Sequence, residues 1–246
     1  MQALHGKVAV VTGGSRGIGA AVVRQLAHAG SDVAFTYLGA ADAAKAVARD
    51  AGAEGVRALP MKVDGADADA VSAAVHEAAV TLGGLDVLVH NAGIFPYGLI
   101  EEVSREELDR TLALHLQGVF VSTQAALGHL VDGGRIIAIG SCFAERVPVP
   151  GVALYAMTKS ALIGLARGLA RDLGPRGITV NVVHPGPTDT DMNPADSDGA
   201  GDERALTALD RYATADEIAA TVVHLAGPAG AYLTGGAISV DGGYAA

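Results

Sequence analysis

Residues 7–29, with the sequence KVAVVTGGSRGIGAAVVRQLAHA, decide the fold of this 246-residue chain. The stretch begins with the β-branched run Lys7–Val11, passes through a glycine-rich turn and continues into the helix-period segment Gly17–Ala29. A buried strand joined to a helix by a glycine turn is typical of the first unit of an open α/β sheet. We therefore expect the chain to begin with a strand, a tight turn and a helix.

The same alternation of short apolar strands and Ala-rich helices continues to the C-terminus, which predicts a parallel sheet covered on both faces. Further strands are predicted at Asp32–Thr36, Val56–Met61, Asp86–His90, Arg135–Ile139, Thr179–Val183 and Ala237–Val240. Helices are predicted between them at Ala41–Ala51, Asp67–Leu82, Ser104–Leu130, Ala153–Leu173 and Thr214–Ala226. We therefore expect one α/β domain over residues 1–246, a doubly wound Rossmann-type fold with a seven-stranded parallel sheet.

Composition excludes several classes of protein. The net charge is -10 and the 17 Lys and Arg residues are scattered, so we expect no nucleic-acid partner. The lone Cys142 excludes an intramolecular disulfide and is expected to be a small packed residue, and the eight His residues show no ligand spacing, so we expect no metal. No apolar run reaches the ~20 residues that span a bilayer, and no signal core precedes the first strand. We expect a cytoplasmic protein without a membrane partner.

One segment breaks the rhythm of strands and helices. Residues 185–201, PGPTDTDMNPADSDGAG, are rich in Pro, Gly, Asp and Thr and have no apolar period. A lid, a binding loop and a disordered segment are the alternatives for such a stretch. It leaves the C-terminal end of a strand, where open α/β sheets bind ligands, so we expect a substrate loop or lid at about residues 187–210.

The turn TGGSRGIG at 12–19 predicts a dinucleotide site, although its G-x-x-x-G-x-G spacing differs from the usual G-x-G-x-x-G. Gly13 permits the turn off the strand. Gly17 lets backbone N–H groups approach a pyrophosphate at the positive end of the helix, and Gly19 lets that helix pack closely on the sheet. An ordinary glycine-rich turn is the alternative, but the position directly after the first strand favours a cofactor site.

The second strand indicates which nicotinamide is bound. NAD enzymes usually place an acidic residue at its end for the ribose 2′-hydroxyl, whereas this strand ends Thr36-Tyr37-Leu38-Gly39. Arg16 supplies a cation that can pair with a 2′-phosphate, although a solvated loop cation is the alternative. The sequence therefore favours NADP(H) over NAD(H).

Two further strand ends carry candidate cofactor residues. Asp64 follows the third strand and either accepts a hydrogen bond from the adenine amine or caps the next helix. Asn91, Ala92 and Gly93 follow the fourth strand. We expect the two small residues to let a cofactor lie against the backbone and Asn91 to tie neighbouring strand ends together.

Tyr155 and Lys159 lie four residues apart in a predicted helix and therefore share one face. The usual tyrosine pKa of ~10 is too high for proton transfer at neutral pH, and a nearby ammonium or a positive cofactor ring lowers it. Ser141 ends the fifth strand, where its hydroxyl can hydrogen-bond a substrate oxygen. The three residues together indicate acid–base chemistry.

These motifs, with Pro185-Gly186 and the C-terminal TGG at 234–236 and VDGG at 240–243, resemble the short-chain dehydrogenase/reductase family over essentially the whole chain. The similarity is greatest to 3-oxoacyl-carrier-protein-reductase-like members. The resemblance implies hydride transfer between NADP(H) and a small-molecule carbonyl or secondary alcohol. It implies that Tyr155 is the general acid/base, that Lys159 lowers its pKa and binds the nicotinamide ribose, and that Ser141 orients the carbonyl.

The resemblance also implies contacts and an assembly. Thr190 would contact the nicotinamide carboxamide, and the two long helices would join subunits into a homotetramer or homodimer, although a plain core face explains the same helix pattern. The full set of expected cofactor-binding residues is Gly13, Ser15, Arg16, Gly17, Ile18, Gly19, Tyr37, Asp64, Asn91, Ala92, Gly93, Tyr155, Lys159, Pro185, Gly186, Thr188 and Thr190.

One residue departs from the family's pattern. The family usually has an Asn in the helix between the fourth and fifth strands, where it holds a water for a proton relay behind the lysine. The register of TLALHLQGVF, residues 111–120, places His115 there. The imidazole either serves the relay, blocks the water or is a packed core histidine. We therefore include His115 as a fourth candidate catalytic residue, beside Ser141, Tyr155 and Lys159.

Residues 139–151 and 155–191 also resemble a family member described as a cyclic-di-GMP-binding biofilm-dispersal protein. That resemblance implies an alternative function, a ligand-sensing regulator with weak catalysis. Because the chain is acidic, specific residues such as Arg146 would have to bind the anion.

Overall fold

The computed structural model describes residues 2–246, and a parallel sheet of seven strands runs through its centre. The strands of this sheet are β1 (Val8–Val11), β2 (Asp32–Tyr37), β3 (Ala58–Lys62), β4 (Leu85–His90), β5 (Leu130–Ile139), β6 (Thr179–Pro185) and the C-terminal β9 (Ala237–Val240). They lie in the order β3-β2-β1-β4-β5-β6-β9. The predicted doubly wound fold is confirmed.

Helices cover both faces of this sheet. In chain order they are α1 (Gly17–His28), α2 (Ala41–Gly52), α3 (Ala68–Leu82), α4 (Arg105–Leu112), α5 (Gly118–Leu127), α6 (Ala153–Leu173), α7 (Ala200–Ala205) and α8 (Ala215–Ala226). One core lies under α1, α2 and α8, and a second lies under α3, α5 and α6.

Alternate residues of the central strands pack on opposite faces of the sheet. In β1, Ala9 and Val11 belong to the core under α1, whereas Val8 and Val10 belong to the core under α3. Because both faces are covered, the strand is apolar at every position. This is why the strands stand out in the sequence as continuous apolar runs.

The chain reverses its direction across the sheet between β1 and β4. From β1 it proceeds outward to β2 and β3, and it then returns to β4 on the other side of β1. The connections that leave the carboxyl ends of β1 and β4 therefore diverge and open a crevice between them. This crevice positions the site described below.

The predicted helix Ser104–Leu130 is interrupted. A π-helical turn, Ala113–Gln117, separates α4 from α5. At the start of α5, a Cβ on Gly118 would come within 2.6 Å of the Gly65 carbonyl oxygen, so the helix approaches that backbone closely. The extra residue of the π-helical turn places His115 in the interior.

β5 begins at Leu130 rather than at the predicted Arg135, and Leu130 pairs with Leu85 before the register shifts. The guanidinium of Arg176 donates to the Leu130 carbonyl and, at 3.0 Å, to the Asp132 carboxylate. This support comes from the short turn that follows α6, far away in the sequence, which explains why a local pattern did not reveal the strand.

The predicted substrate loop at 187–210, together with the residues just after it, contains regular structure. Two short strands, β7 (Thr188–Asp189) and β8 (Ala213–Thr214), pair in parallel, and α7 lies between them. The Glu203 carboxylate accepts hydrogen bonds from the Asn193 amide at 2.7 Å and from the Tyr212 hydroxyl at 2.9 Å. The segment is therefore closed on itself by backbone pairing and by this polar cluster.

Candidate active site

A cleft of about 740 Å³ lies at the carboxyl ends of the strands, in the range typical of small-ligand sites. Every predicted catalytic and cofactor residue lines it except His115, which is buried behind the cleft wall. We call it the strand-end cleft. The topology therefore brings together residues that are scattered over most of the chain.

The glycine turn forms one wall of the strand-end cleft. Gly13 and Gly17 have positive φ values of 71° and 52°, a conformation that glycine adopts without strain. A Cβ on Gly19 would come within 2.1 Å of the Gly13 carbonyl oxygen and 2.4 Å of the Asn91 side chain. The predicted close packing of α1 is therefore observed, and it requires glycine at position 19.

The N-terminus of α1 faces the cleft without a side-chain cap. Arg16 is the N-cap residue, and no side chain within residues 2–246 accepts a hydrogen bond from the first turn. Free N–H groups at the positive end of a helix are suited to bind a phosphate. Arg16 itself is exposed, and it lines the cleft together with Tyr37 and Leu38 from the end of β2.

Asp64 has a partner that the sequence did not reveal. The guanidinium of Arg110, from α4, donates to both of its oxygens at 2.8 and 2.9 Å. Hydrogen bonding by Arg110 lowers the pKa of Asp64. The alternative of Asp64 as the cap of α3 is wrong, because Asp67 holds that position and accepts from the Ala70 N–H at 3.0 Å.

Asn91 ties the ends of β4 and β1 together, as predicted. Its side-chain amide donates to the carbonyls of Thr12 at 3.1 Å and Gly13 at 2.8 Å. In return, the Thr12 hydroxyl accepts from the backbone N–H groups of Asn91 and Ala92. The crevice between the two strands is thus held at a fixed width.

Tyr155 and Lys159 lie together on α6, as their spacing predicts. The Lys159 Nζ lies 5.6 Å from the centre of the Tyr155 ring and donates to the Ile139 carbonyl at 2.9 Å. Lys159 is buried, and this burial lowers its pKa to about 8. The lysine is therefore fixed to the end of β5.

The expected lowering of the tyrosine pKa is not observed. Burial raises the pKa of Tyr155 to about 12, against a smaller opposing effect of the hydrogen bond with Ser141. The ammonium of Lys159 points at the Ile139 carbonyl instead of the phenol oxygen. Tyr155 is therefore a neutral proton donor here, and of the two expected causes of a lowered pKa, the ammonium of Lys159 does not outweigh the effect of burial.

Ser141 is held by a histidine that sequence reasoning missed. The ring Nδ1 of His184 accepts a hydrogen bond from the Ser141 backbone N–H at 3.0 Å. The ring is fully buried, and a Cβ on Gly140 would come within 2.2 Å of it. Because Nδ1 accepts, the proton is on Nε2, which has no hydrogen-bond partner within residues 2–246 and lies 4.0 Å from the Glu145 carboxylate.

The position of His184 at the end of β6 could have identified it as a site residue, since polar residues at the carboxyl ends of parallel strands meet at one edge of the sheet. The sequence alone did not show that this ring would point at the end of the neighbouring strand β5.

His115 has partners on both ring nitrogens. Nε2 accepts from the Ile94 N–H at 3.0 Å, so the proton is on Nδ1, which donates to the Thr158 hydroxyl at 2.9 Å. That hydroxyl donates in turn to the Tyr155 carbonyl at 2.8 Å. Burial, with a smaller contribution from the charge of Lys159, lowers the pKa of His115 to about 3. The imidazole is therefore neutral and fully hydrogen-bonded.

The segment after β6 reaches across to the glycine turn. Thr188 donates to the Gly186 carbonyl at 2.9 Å, and the Thr190 methyl group would lie 3.3 Å from a Cβ on Gly17. Pro185, Gly186, Thr188 and Thr190 line the strand-end cleft, as predicted. Thr190 brings this segment next to the glycine turn.

Other candidates from the sequence have simple structural accounts. Cys142 is buried, and burial raises its pKa to about 12, so the thiol is a packed residue as expected. The Arg146 guanidinium donates to the Tyr244 carbonyl at 2.6 Å and lies over its ring.

Within residues 2–246, no three His, Cys, Asp or Glu side chains form a potential metal site. The helices of that range include none with the length and hydropathy of a membrane span.

Two buried histidines predict that acid destabilises the fold. Burial lowers the pKa of His90 to about 4 and that of His115 to about 3, below the ~6.5 of an unfolded chain. Below about pH 6.5 the unfolded state therefore binds protons that the folded state does not. As a result, the free energy of unfolding decreases as the pH is lowered. Each histidine contributes a slope of up to ~1.4 kcal/mol per pH unit, which urea unfolding between about pH 5 and 7 measures.

The variants His90→Gln and His115→Asn should each lower this slope by the contribution of one proton, up to ~1.4 kcal/mol per pH unit, and the double variant should lower it by twice as much. A slope that stays the same in both single variants would show that these rings are not buried in the neutral form.

Comparisons with known proteins agree with this geometry. The family model for enoyl-(acyl carrier protein) reductase matches residues 13–245. The cyclic-di-GMP-binding biofilm dispersal mediator protein of Escherichia coli (strain K12) is 44% identical over 246 residues, 100% of both chains. The 3-oxoacyl-[acyl-carrier-protein] reductase FabG of Staphylococcus aureus is 41% identical over 241 residues, 96% of this chain and 97% of the relative.

A solved structure extends the agreement to three dimensions. The short chain dehydrogenase of Burkholderia cenocepacia J2315, in complex with NADP, superimposes with a TM-score of 0.98 at 51% identity and covers 99% of this chain and 100% of its own. The chain therefore belongs to the short-chain dehydrogenase/reductase family, and the predicted resemblance is confirmed.

Proposed function

We propose that this protein is an NADP(H)-dependent oxidoreductase that transfers a hydride between the nicotinamide and a carbonyl or secondary alcohol substrate. The observation that carries the proposal is the convergence of Ser141, Tyr155 and Lys159 on one cleft with the uncapped N-terminus of α1. The three side chains are suited to proton transfer and to hydrogen bonds with a substrate oxygen, and the helix N-terminus is suited to bind a phosphate.

The residues present fit the cofactor. The glycine turn leaves room for a pyrophosphate, Arg16 provides the cation for a 2′-phosphate, and the end of β2 has no carboxylate to repel it. Asp64 is fixed by Arg110 with its oxygens at the cleft, where we propose that it contacts the adenine amine. The Burkholderia cenocepacia relative, solved with NADP, supports this choice over NAD(H).

The remaining expected contacts complete the cofactor site. We assign Asn91, Ala92 and Gly93 to the wall against which the cofactor lies, and Thr188 and Thr190 to the nicotinamide end. Residues 187–210 would act as the lid, because they already lie against the glycine turn.

The protein's own residues are arranged for carbonyl reduction. When bound, NADPH supplies the hydride to the carbonyl carbon. Tyr155, which keeps its proton at neutral pH, donates that proton to the carbonyl oxygen as negative charge develops there. Ser141 donates a second hydrogen bond to the same oxygen, and the nearby charge of Lys159 stabilises the tyrosinate that remains.

We assign His115 a positioning role rather than a place in the proton relay. Both of its nitrogens are occupied, so neither is free to hold a relay water. Its contacts fix Ile94 on one side of the cleft and, through Thr158, the helix turn that bears Tyr155. Of the three roles that the sequence left open for His115, these contacts favour that of a packed core histidine.

We also propose a homotetramer or homodimer built on the two long helical segments. Phe120 on α5 is 52% exposed and Met157 on α6 is 50% exposed, and burial of such side chains between subunits would be favourable.

A ligand-sensing function is the second candidate, and the Escherichia coli relative that binds cyclic di-GMP supports it. Arg146, the expected anchor for an anion, is held by Tyr244 and would have to be released. Calorimetry with cyclic di-GMP, with and without NADPH, separates the two candidates: submicromolar binding without carbonyl reduction would favour the sensor.

Replacing Tyr155 by Phe should abolish proton donation while the ring and its packing remain. We expect kcat/KM for the best carbonyl substrate to fall about 10²- to 10⁴-fold, with NADPH affinity little changed. Loss of NADPH absorbance measures turnover, and Tyr232→Phe, at a fully exposed tyrosine, is the control. A Tyr155→Phe protein as fast as the parent would exclude the mechanism.

Replacing Arg16 by Ala should weaken NADPH binding by about tenfold or more and leave NADH binding nearly unchanged, since only the former carries the 2′-phosphate. Titration of nicotinamide fluorescence measures both dissociation constants. Arg24→Ala, on the same helix but paired with Asp50, serves as the matched control. Equal weakening for both cofactors would contradict a 2′-phosphate contact.

Replacing His115 by Asn should keep or raise turnover, because an amide can reproduce one donor and one acceptor and leaves room for a water. Steady-state kinetics over a range of pH, with NADPH and a carbonyl substrate, tests this. A loss of about a hundredfold or more in kcat would show that the histidine itself is used, and a changed pH profile in the same variant would place it in proton transfer rather than in positioning.

A further inference from the structure

The aromatic residues of this chain are concentrated at one place. The sequence contains four Phe, six Tyr and no Trp, ten aromatic side chains in total. Five of the ten form one contiguous cluster of ring contacts, which we call the aromatic wall. Its members are Phe95, Tyr97, Phe143, Tyr155 and Tyr244.

The wall packs against the ring of Tyr155, whose hydroxyl we assign to proton transfer. The Phe95 ring meets the Tyr155 ring edge-on with centroids 4.8 Å apart, and the Phe143 ring does so at 6.2 Å. Phe95 and Phe143 are themselves nearly parallel, with an angle of 21° between their planes. Because Phe95 and Phe143 line the same cleft as Tyr155, the substituents of a carbonyl hydrogen-bonded to Tyr155 are within reach of these rings.

Phe95, Phe143, Tyr155 and Tyr244 all line the strand-end cleft, but they differ in exposure. Phe95 is 39% exposed despite its ring contacts and is available to a ligand, whereas Tyr244 is only 2% exposed. Ring-to-ring contacts in edge-on or offset geometry stabilise beyond the burial of apolar area alone. The wall thus provides unsaturated apolar surface directly beside the reacting atoms.

Charge at this end of the cleft disfavours anionic substrates. The cations that line the cleft, within residues 2–246, are Arg16, Arg110 and Lys159. Arg16 is at the glycine turn, Arg110 is paired with Asp64, and Lys159 is buried against the Ile139 carbonyl.

The charged residues of the predicted substrate loop that line the cleft are instead the carboxylates of Asp191 and Glu203. A phosphate or carboxylate on the substrate would have no cation to neutralise it and would meet like charge.

We infer that the substrate end of the cleft selects a neutral aromatic carbonyl compound, whose ring packs on the aromatic wall while its oxygen bonds to Tyr155 and Ser141. The inference rests on the proposed reductase function. It separates this protein in substrate class from reductases of acyl groups carried by an acidic protein or a phosphorylated coenzyme.

A pair of matched substrates tests the ring contact. Benzaldehyde and cyclohexanecarbaldehyde differ chiefly in the aromaticity of the ring, and the ratio of their kcat/KM values with NADPH measures its recognition. We expect Phe95→Leu to lower that ratio by about tenfold, whereas Phe95→Tyr, which keeps the ring, preserves it. Comparing ratios between variants cancels the different intrinsic reactivity of the two aldehydes.

A second pair tests the charge. Acetoacetyl-N-acetylcysteamine is neutral, whereas acetoacetyl-coenzyme A carries phosphates, and we expect the neutral thioester to have the higher kcat/KM. A benzaldehyde ratio that is unchanged in Phe95→Leu, or a preference for the coenzyme A thioester over the neutral compounds, overturns the inference. Absence of any carbonyl reduction by protein that binds NADPH would refute the proposed function itself and is thereby distinguished from failure of the substrate assignment.

Discussion

The hydrogen bonds from the Asn91 amide to the carbonyls of Thr12 and Gly13 fix the crevice on which the site depends. They join the carboxyl ends of β4 and β1, the two strands between which the chain reverses its course across the sheet. Gly19 packs against the same carbonyl of Gly13, so the start of α1 is held by the same contacts. A small displacement here would move the helix N-terminus, the glycine turn and the backbone at Ala92 together.

Groups that are distant in sequence are oriented by backbone atoms of the neighbouring strand. The Ile139 carbonyl at the end of β5 receives the Lys159 ammonium, and the adjacent Ser141 N–H donates to His184 from β6. Burial at this edge also shifts proton equilibria: it raises the pKa of Tyr155 and lowers that of Lys159. The sheet edge therefore positions these side chains and also changes how readily they gain or lose a proton.

Features with a local cause could be predicted from the sequence. Continuous apolar runs located the strands, and the spacing of Tyr155 and Lys159 placed both on one helix face. Features with a distant cause could not be predicted. The partner of Asp64 is Arg110, on a helix that follows another strand, and β7 pairs with β8 across an intervening helix. The raised pKa of Tyr155 likewise depends on burial by surrounding elements, which no spacing rule measures.

The packing of His184 against Gly140 makes two positions on neighbouring strands mutually dependent. The imidazole, together with the Val182 side chain, occupies the volume that a side chain at 140 would need, and the imidazole also supplies the acceptor for the Ser141 N–H. A larger residue at 140 therefore requires, among other changes, a smaller side chain at 184, and that change leaves the N–H without its acceptor. We therefore expect positions 140 and 184 to change together among relatives of this chain. Introducing the segment with Gly140 and Ser141 into another member of the family would require a histidine at the position of His184 as well.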